Sequence, residues 1–303
     1  MNDAHCHFFS TPFFAALGGD AALAKLGWDP PATAEALADR WVAELDRHRV
    51  GRAALIASVP GDAASVAAAV ARHRDRFVGF FMLDPTQADA ESTAAAALDT
   101  GSLRTVCLFP AMHRYAIHDA RVQKIFEVVA ARQGTAVFVH CGVLSVGVRK
   151  KLGLPSPFDI RFGNPLDLHA VALRYPQVPI IIPHFGAGLL REALMVADLC
   201  PNVHFDTSSS NGWIKYVPGL TLSAVFRQAL AVLGPDRLLF GTDSSFFPRG
   251  WVADVYEQQS AALDELGVSS VVQQKIFSEN FDRLFPSRDK DTEVDKGHKG
   301  QRR

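Results

Sequence analysis

Short runs of apolar residues recur along the 303-residue chain, and each is followed by a longer stretch with the periodicity of an amphipathic helix. The runs are rich in Val, Ile, Leu and Phe, a composition typical of strands buried on both faces of a parallel sheet. Eight runs can be counted, at residues 3–8, 53–59, 78–83, 105–109, 136–140, 179–184, 203–206 and 237–242. The alternation predicts an α/β fold in which helices connect parallel strands.

The segments between the runs carry helix signals. In DARVQKIFEVVAARQG, Asp119 is placed as an N-cap and Gly134 as a C-terminal stop. Eight strand-helix units close naturally into a (β/α)8 TIM barrel, which uses about 250 residues as one domain. A doubly wound open sheet is the alternative, but it does not explain why polar residues of the metal-ligand type end so many strands. The barrel therefore accounts better for the pattern.

The barrel is expected to be a single catalytic domain over residues 1–285. Residues 286–303 are polar, charged and without periodicity, which predicts a mobile tail. Two connections, residues 8–31 and 141–164, are longer than a barrel needs. Barrel active sites are built from loops at the C-terminal ends of the strands, so these two loops are candidates for a lid and a substrate pocket, with plain surface decoration as the alternative.

Composition limits the kind of partner. The formal net charge is −1 and basic residues cluster only at the extreme C-terminus, so a small molecule is expected, and neither nucleic acid nor a membrane surface. No apolar run approaches the roughly 20 residues that span a bilayer, and MNDAHCHFF lacks the pattern of a signal peptide, so a cytoplasmic location is predicted. The four cysteines show no CxxC spacing and are expected to be reduced thiols. The sequence leaves the oligomeric state open, and a homodimer is kept as an expectation.

Five polar residues at strand ends suggest a metal site. His5 and His7 are two apart on the first strand, so both imidazoles project from the same face. His140, His184 and Asp243 each stand where a barrel strand delivers a residue to the catalytic face. Imidazoles and a carboxylate suit Zn²⁺ or another borderline divalent ion. The alternative, that the histidines are ordinary buried residues with hydrogen-bond partners, has to hold at several strand ends at once.

The motifs DAHCHF, FVHCG, PHFGAG and FGTD resemble those of the amidohydrolase superfamily, in its amidohydrolase-related branch, which includes aminocarboxymuconate-semialdehyde decarboxylase and related hydrolases. The resemblance implies that His5, His7, His140 and Asp243 hold one divalent ion, with Zn²⁺ expected and Mn²⁺ as the alternative. It also implies that His184 contacts the metal-activated water and that Asp243 accepts a proton from it.

One departure from the superfamily limits the number of ions. Members with two metal ions carry a carboxylated lysine on the fourth strand, whereas this chain has TVCLFPA there, with Cys107 and no lysine. A bridged two-metal site is therefore not expected. Asp3 lies on the same strand face as the two histidines but one step deeper, which favours a supporting role over that of a ligand.

Cations and aromatic residues near the strand ends are the candidates for substrate binding. An Arg fork can grip both oxygens of a carboxylate, and aromatic side chains suit a cyclic substrate. The candidates are His113, Arg114, Tyr115, Arg149, Arg161, Trp213, Lys215, Phe247 and Arg249.

Three functions fit these residues. The first is hydrolysis of an amide, ester or lactone of a small cyclic substrate that carries a carboxylate, with a metal-activated water as nucleophile. The second is nonoxidative decarboxylation of an unsaturated or aromatic acid. The third is a metal-binding scaffold without catalysis, which the complete ligand set disfavours. Hydrolysis leads because it is the commoner chemistry of the superfamily that the motifs resemble.

Overall fold

The computed structural model describes residues 1–209, 211–245 and 249–287. Its strands form one sheet in the order β8-β7-β6-β5-β4-β3-β2-β1-β9, and every neighbouring pair is parallel. The strands are β1 Asn2–Phe8, β2 Arg52–Ala57, β3 Phe77–Leu83, β4 Leu103–Leu108, β5 Ala136–Val139, β6 Ile180–Ile182, β7 Val203–Asp206, β8 Leu238–Leu239 and β9 Ser244–Ser245.

The last two strands are halves of one barrel strand. β8 pairs with β7, and a few residues later β9 pairs with β1. Between them, Ala4 N donates to Phe240 O at 2.8 Å and Asp243 N donates to His5 O at 3.0 Å. The eighth strand thus joins both edges of the sheet and closes the barrel. The prediction of a (β/α)8 barrel from eight apolar runs is confirmed.

Helices follow the strands as the periodicity predicts. The Asp119 side chain accepts a hydrogen bond from Arg121 N at the start of its helix, as expected of an N-cap, whereas the helix ends at Ala130, ahead of Gly134. The helices are α1 Thr11–Ala15, α2 Asp20–Leu26, α3 Ala34–Arg47, α4 Ala63–Arg72, α5 Ala90–Asp99, α6 Pro110–His113, α7 Ala120–Ala130, α8 Gly147–Leu152, α9 His169–Arg174, α10 Leu190–Leu199, α11 Leu222–Leu233, α12 Ala253–Glu265, α13 Ser270–Gln274 and α14 Asn280–Leu284.

Alternation along the strands divides the core into two layers. On β3, Phe80 and Met82 face the barrel interior, while Phe77 and Phe81 pack against the surrounding helices. Fully burying a Phe side chain contributes about 1.5–3 kcal/mol, so both layers stabilise the sheet. The interior layer fills the barrel beneath the C-terminal strand ends and leaves the site above it open.

The two long connections pack against each other over the C-terminal end of the barrel. The first contains α1 and α2, and the second contains α8. Phe9, Phe13, Phe14, Val148 and Leu152 form a small apolar cluster between them. Lys25 Nζ on α2 also donates to Leu152 O at 2.7 Å. These loops therefore lie together beside the strand ends, where a lid was expected.

Two expectations extend beyond what the structure describes. Residues 288–303, which make up most of the predicted tail, and Phe247 lie outside the described residues. Within residues 1–209, 211–245 and 249–287, no helix combines the length and the apolar character that crossing a bilayer requires.

Candidate metal centre and active site

Three side chains converge at the mouth of the barrel with separations that suit a shared ion. His5 Nε2 lies 3.3 Å from His7 Nε2, and Asp243 Oδ1 lies 3.5 Å from the first and 3.1 Å from the second. Ligand atoms about 2.0–2.2 Å from one tetrahedral ion are roughly 3.3–3.6 Å apart. The residues present therefore fit a divalent ion.

The first two histidines are oriented through their other ring nitrogens. His5 Nδ1 donates to Asp206 Oδ2 at 2.6 Å, since a carboxylate oxygen can only accept. Ser58 donates its hydroxyl to Ile56 O, so its oxygen accepts from His7 Nδ1 at 2.8 Å. Both rings consequently carry their hydrogen on Nδ1 and present the Nε2 lone pair to the site, the arrangement that metal-binding histidines need.

His184 is held in the same way from the seventh strand. Its Nδ1 lies 3.2 Å from Ser208 O and 2.9 Å from Ser208 Oγ, and a carbonyl oxygen only accepts, so Nδ1 is the donor. Burial lowers the pKa of His184, which favours the neutral ring. One ligand atom from each of His5, His184 and Asp243 lies within 4.8 Å of the others. A neutral Nε2 at this place can accept a proton or bind a cation.

His140 is the fourth histidine in the wall of the cavity at the mouth of the barrel. Its ring centroid is 5.3 Å from that of His184, and its ring stacks on Phe109 at 5.4 Å. Burial, together with the neighbouring His184 and His5, holds the pKa of His140 well below its ordinary value. Its Nδ1 has no hydrogen-bond partner among the described residues. The ring is thus neutral and lacks the orienting contact of the other three histidines.

Asp243 carries the negative charge of the site. Burial opposes its ionisation, but the neighbouring His7, His5 and His184 lower its pKa below the ordinary value. The backbone is left-handed both here, with φ 59°, and at His184, with φ 57°. Such conformations cost on the order of 1–3 kcal/mol for residues with a side chain, and they concentrate at functional sites.

Two glycines allow the loops around the site to approach one another closely. A Cβ on Gly241 would lie 2.7 Å from Asp206 Oδ1 and 3.0 Å from His5 Cβ. A Cβ on Gly142 would lie 2.2 Å from Gly186 O, on the turn that carries His184. Glycine at these two positions lets the loops after the strands approach one another closely enough to bring the histidines together.

The centre lies at the junction of two cavities. The first, about 120 Å³, is called here the aromatic lobe; its apolar wall consists mainly of Phe9, Phe13, Met82, Phe109, Met112 and Leu144. The second, about 300 Å³, is called the Lys215 lobe; its own wall consists of Val143, Ala187, Ser209, Gly212, Trp213, Lys215 and Tyr216. His140, Ser145, His184 and Asp243 line both lobes.

Only some of the predicted substrate-binding residues reach these lobes. Trp213 and Lys215 line the second lobe. Arg161 is 84 % exposed and pairs with Asp159, and Arg149 donates to Pro155 O. Among the described residues, the walls of the two lobes include none of His113, Arg114, Tyr115, Arg149, Arg161 and Arg249.

His113, Arg114 and Tyr115 directly follow Met112, which lines the aromatic lobe. Tyr115 is 2 % exposed, and the guanidinium of Arg114 donates to Pro157 O at 3.0 Å. Burial lowers the pKa of His113. These side chains are directed into the protein or toward loop carbonyls, so the structure does not bring them to the substrate space.

Sequence reasoning missed the residues that orient the histidines. Asp206 ends the run VHFD, so the reasoning that selected His140 and His184 also applies to it. Ser208 and Ser58 carry no comparable signal, because a serine near a strand end is common. Asp3, expected to have a supporting role, accepts hydrogen bonds from His5 N, Thr242 and Trp251 Nε1, so its oxygens are occupied away from the centre.

Curated and solved proteins resemble the chain to different extents. Protein fluG of Emericella nidulans is 30% identical over 109 residues, which are 36% of this chain and 12% of fluG, so the match spans a small part of that protein. 5-Carboxyvanillate decarboxylase from Sphingomonas paucimobilis matches with TM-score 0.63 at 17% identity, covering 94% of this chain and 98% of its own. A probable 2-pyrone-4,6-dicarboxylic acid hydrolase from Acinetobacter baumannii, with citric acid bound, has TM-score 0.62 at 17% identity, covering 94% and 99%.

Two further solved structures of this fold contain metal. An amidohydrolase from Burkholderia multivorans with bound zinc has TM-score 0.60 at 14% identity, covering 94% of this chain and 99% of its own. A 5-carboxyvanillate decarboxylase from Novosphingobium aromaticivorans with bound manganese has TM-score 0.60 at 15% identity, covering 94% and 97%. At such identities the likeness shows the fold alone. The amidohydrolase family model, however, matches residues 3–286, and this chain therefore belongs to the amidohydrolase family.

Proposed function

We propose that this protein is a metal-dependent hydrolase that uses an activated water on an amide, ester or lactone of a small cyclic substrate bearing a carboxylate. The observation that carries the proposal is the set of Nε2 and Oδ1 atoms of His5, His7 and Asp243, 3.1–3.5 Å apart in the wall of the aromatic lobe. Such a donor set suits Zn²⁺, with Mn²⁺ as the alternative.

A bound divalent ion would supply a Lewis acid and lower the pKa of water. His5, His7, His140 and Asp243 are proposed to hold it. Asp243 lies beside the place where water would react, and its carboxylate can accept a proton. His184 presents a neutral Nε2 to the same place and can hold the proton before it passes to the leaving group.

The aromatic lobe suggests the shape of the substrate. Phe9 and Phe13 stack face to face with ring centroids 3.8 Å apart, and Phe109 lies on another side of the lobe. A wall of flat rings with few polar atoms suits a planar cyclic group. The partner is therefore proposed to be a small molecule and not nucleic acid. A cytoplasmic location and a homodimer remain predictions.

Decarboxylation of an unsaturated or aromatic acid is the second candidate. Its supporting observation is the same aromatic lobe, which would place a flat acid beside His184 and Asp243. Both reactions need a metal and a proton carrier, and they differ in whether water ends up in the product.

Oxygen labelling separates the two reactions. The Zn²⁺- and Mn²⁺-loaded protein would be incubated in H₂¹⁸O with a panel of lactones, amides, esters and aromatic acids, and both ¹⁸O incorporation and CO₂ release would be measured. Hydrolysis predicts one ¹⁸O in the product acid, and metal removal should abolish its formation. Metal-dependent CO₂ release without ¹⁸O in the product would overturn hydrolysis in favour of decarboxylation.

A further inference from the structure

Lys215 has a special position among the cations of the chain. Of the described residues that line the aromatic lobe and the Lys215 lobe, it is the only Lys or Arg. It forms no ion pair with any described carboxylate, and its Nζ lies 5.3 Å from the centre of the Tyr216 ring. Its charge is therefore available to an anion in the lobe.

Lys215 is solvent-exposed and lines the same cavity as His140, His184 and Asp243. Lys215 lies on the short turn Gly212–Tyr216, which follows β7 and the histidine-orienting Ser208. Trp213 on the same turn is 6 % exposed and packs against Phe185, next to His184. A Cβ on Gly188 would lie 3.2 Å from the Tyr216 ring, so glycine there lets the turn approach closely. The turn is anchored on the catalytic side of the barrel.

The two lobes differ in chemistry and meet at the reacting groups. The aromatic lobe is walled by rings and methionines, with no charged side chain among its described lining apart from the centre itself. The Lys215 lobe has Ser209, Lys215 and the edge of Tyr216 in its wall. His140, His184 and Asp243 line both lobes. A substrate bond that lies beside these three side chains therefore has the aromatic lobe on one side and the Lys215 lobe on the other.

We infer that the substrate is bipartite: a planar ring occupies the aromatic lobe, a carboxylate occupies the Lys215 lobe, and the scissile amide or ester bond lies between them. Lys215 is the residue that recognises the carboxylate. The inference rests on the proposed hydrolase function. In the reaction the oxygen of water bonds to the carbonyl carbon, the C–N or C–O bond breaks, and the proton of water goes to the leaving nitrogen or oxygen, so no oxidant or reductant is needed.

Matched substrates test the role of the carboxylate. N-benzoylglycine and N-benzoylglycinamide differ only in the charge of the group expected in the Lys215 lobe, and succinanilic acid with its amide places ring and carboxylate in the reverse orientation. The wild-type protein should prefer the acid of at least one pair by about tenfold in kcat/KM, mainly through KM, because a charged hydrogen bond is lost in the amide. Equal kcat/KM for acid and amide in both pairs would overturn the inference.

Two variants test the role of the lysine. Lys215→Met should lower kcat/KM for the acid about tenfold more than for the amide, whereas Lys151→Met, at an exposed lysine on α8 outside both lobes, should keep the preference. Added salt should weaken the preference in the wild-type protein and not in Lys215→Met. Equal loss for acid and amide in Lys215→Met would show that the residue does not recognise the anion.

A binding measurement separates this inference from the proposed function. 3-Benzoylpropionate replaces the amide nitrogen of N-benzoylglycine by carbon and cannot be hydrolysed, so its dissociation constant and that of its neutral amide can be measured by calorimetry. If the acid binds more tightly than the amide, and Lys215→Met abolishes this difference, the bipartite site is supported even when no substrate is hydrolysed. Absence of hydrolysis would then count against the proposed hydrolase function alone. Hydrolysis of the panel without charge-dependent binding would overturn the bipartite site and leave the hydrolase standing.

Discussion

The candidate metal centre and the walls of the two lobes are built in different ways. The candidate ligands extend from the ends of strands or the residues directly after them, and three of the four histidines have Nδ1 fixed by a hydrogen-bond partner. The lobe walls come largely from loops, where cations such as Arg161 are paired with carboxylates of their own loop. Strand geometry thus fixes the direction of a side chain, whereas a charged residue on a loop can form an ion pair within its own loop. Sequence position is therefore a strong guide to the direction of a side chain at the strand ends and a weak one in the loops.

Removal of a candidate metal ligand at a strand end is expected to have the largest effect on metal content and activity. The wild-type protein is expected to hold about one divalent ion per chain, because the described residues offer one candidate cluster here and β4 carries no lysine to bridge a second ion. His140→Ala should lose the ion and lower activity by roughly 10³-fold or more, since Lewis-acid stabilisation is worth several kcal/mol. Elemental analysis and kinetics check both. A fully loaded His140→Ala, or two tightly bound ions in the wild-type protein, would contradict the ligand set.

His184 distinguishes a proton carrier from a ligand at the same strand ends. His184→Ala is expected to keep the ion and to lower kcat by roughly 10²–10³-fold, because general acid-base catalysis contributes about that much. Metal content and steady-state kinetics on the same preparation are the measurements. An empty site in His184→Ala would make His184 a ligand, which its position within 4.8 Å of the His5 and Asp243 ligand atoms also allows.

The hydrogen-bonded support of the centre should have an intermediate effect. Asp206→Asn weakens the bond to His5 Nδ1 and is expected to lower metal affinity by about 10–100-fold, as found for partners of metal-binding histidines. Competition with a chromogenic chelator measures the affinity. Ser58→Ala, which removes the neutral partner of His7, is the matched comparison and should have a smaller effect. Equal affinity in Asp206→Asn and the wild-type protein would show that the carboxylate does not tune the centre.

The loop-borne residues should give the smallest effects and should differ among themselves. Phe13→Leu removes a ring that stacks on Phe9 in the wall of the aromatic lobe. The variant is expected to raise KM for ring-containing substrates by roughly 3–10-fold, because a contact between an aromatic side chain and a substrate ring is worth about 1 kcal/mol. Arg161→Ala should change KM by less than about twofold, since its ion pair with Asp159 is exposed. A larger increase in KM for Arg161→Ala would mean that the loop carrying Arg161 contacts the substrate. The difference drawn here between strand-end residues and loop residues would then be wrong.

The barrel and the position of its centre could be predicted from the sequence because both depend on local repetition. Apolar runs mark buried strands, and two-residue alternation places His5 and His7 on one face. The interruption of the eighth strand could not be predicted, because it arises where one strand pairs with β7 first and β1 later. The same local rules would have selected Asp206, which also ends a strand.

The strand count, the barrel and the five residues at its mouth follow from patterns in the sequence. The partner that orients each histidine, and the cation that lines a lobe, depend on the folded structure. His5 and Asp206 are 201 residues apart in the chain, so their contact depends on closure of the whole barrel. Likewise, Arg161 and Lys215 are equally charged in the sequence, but only folding pairs the first with Asp159 and leaves the second in the wall of a lobe. Local periodicity in the sequence determines which face of a strand a side chain lies on. Contacts between side chains across the barrel depend on distances that are set only when the sheet closes.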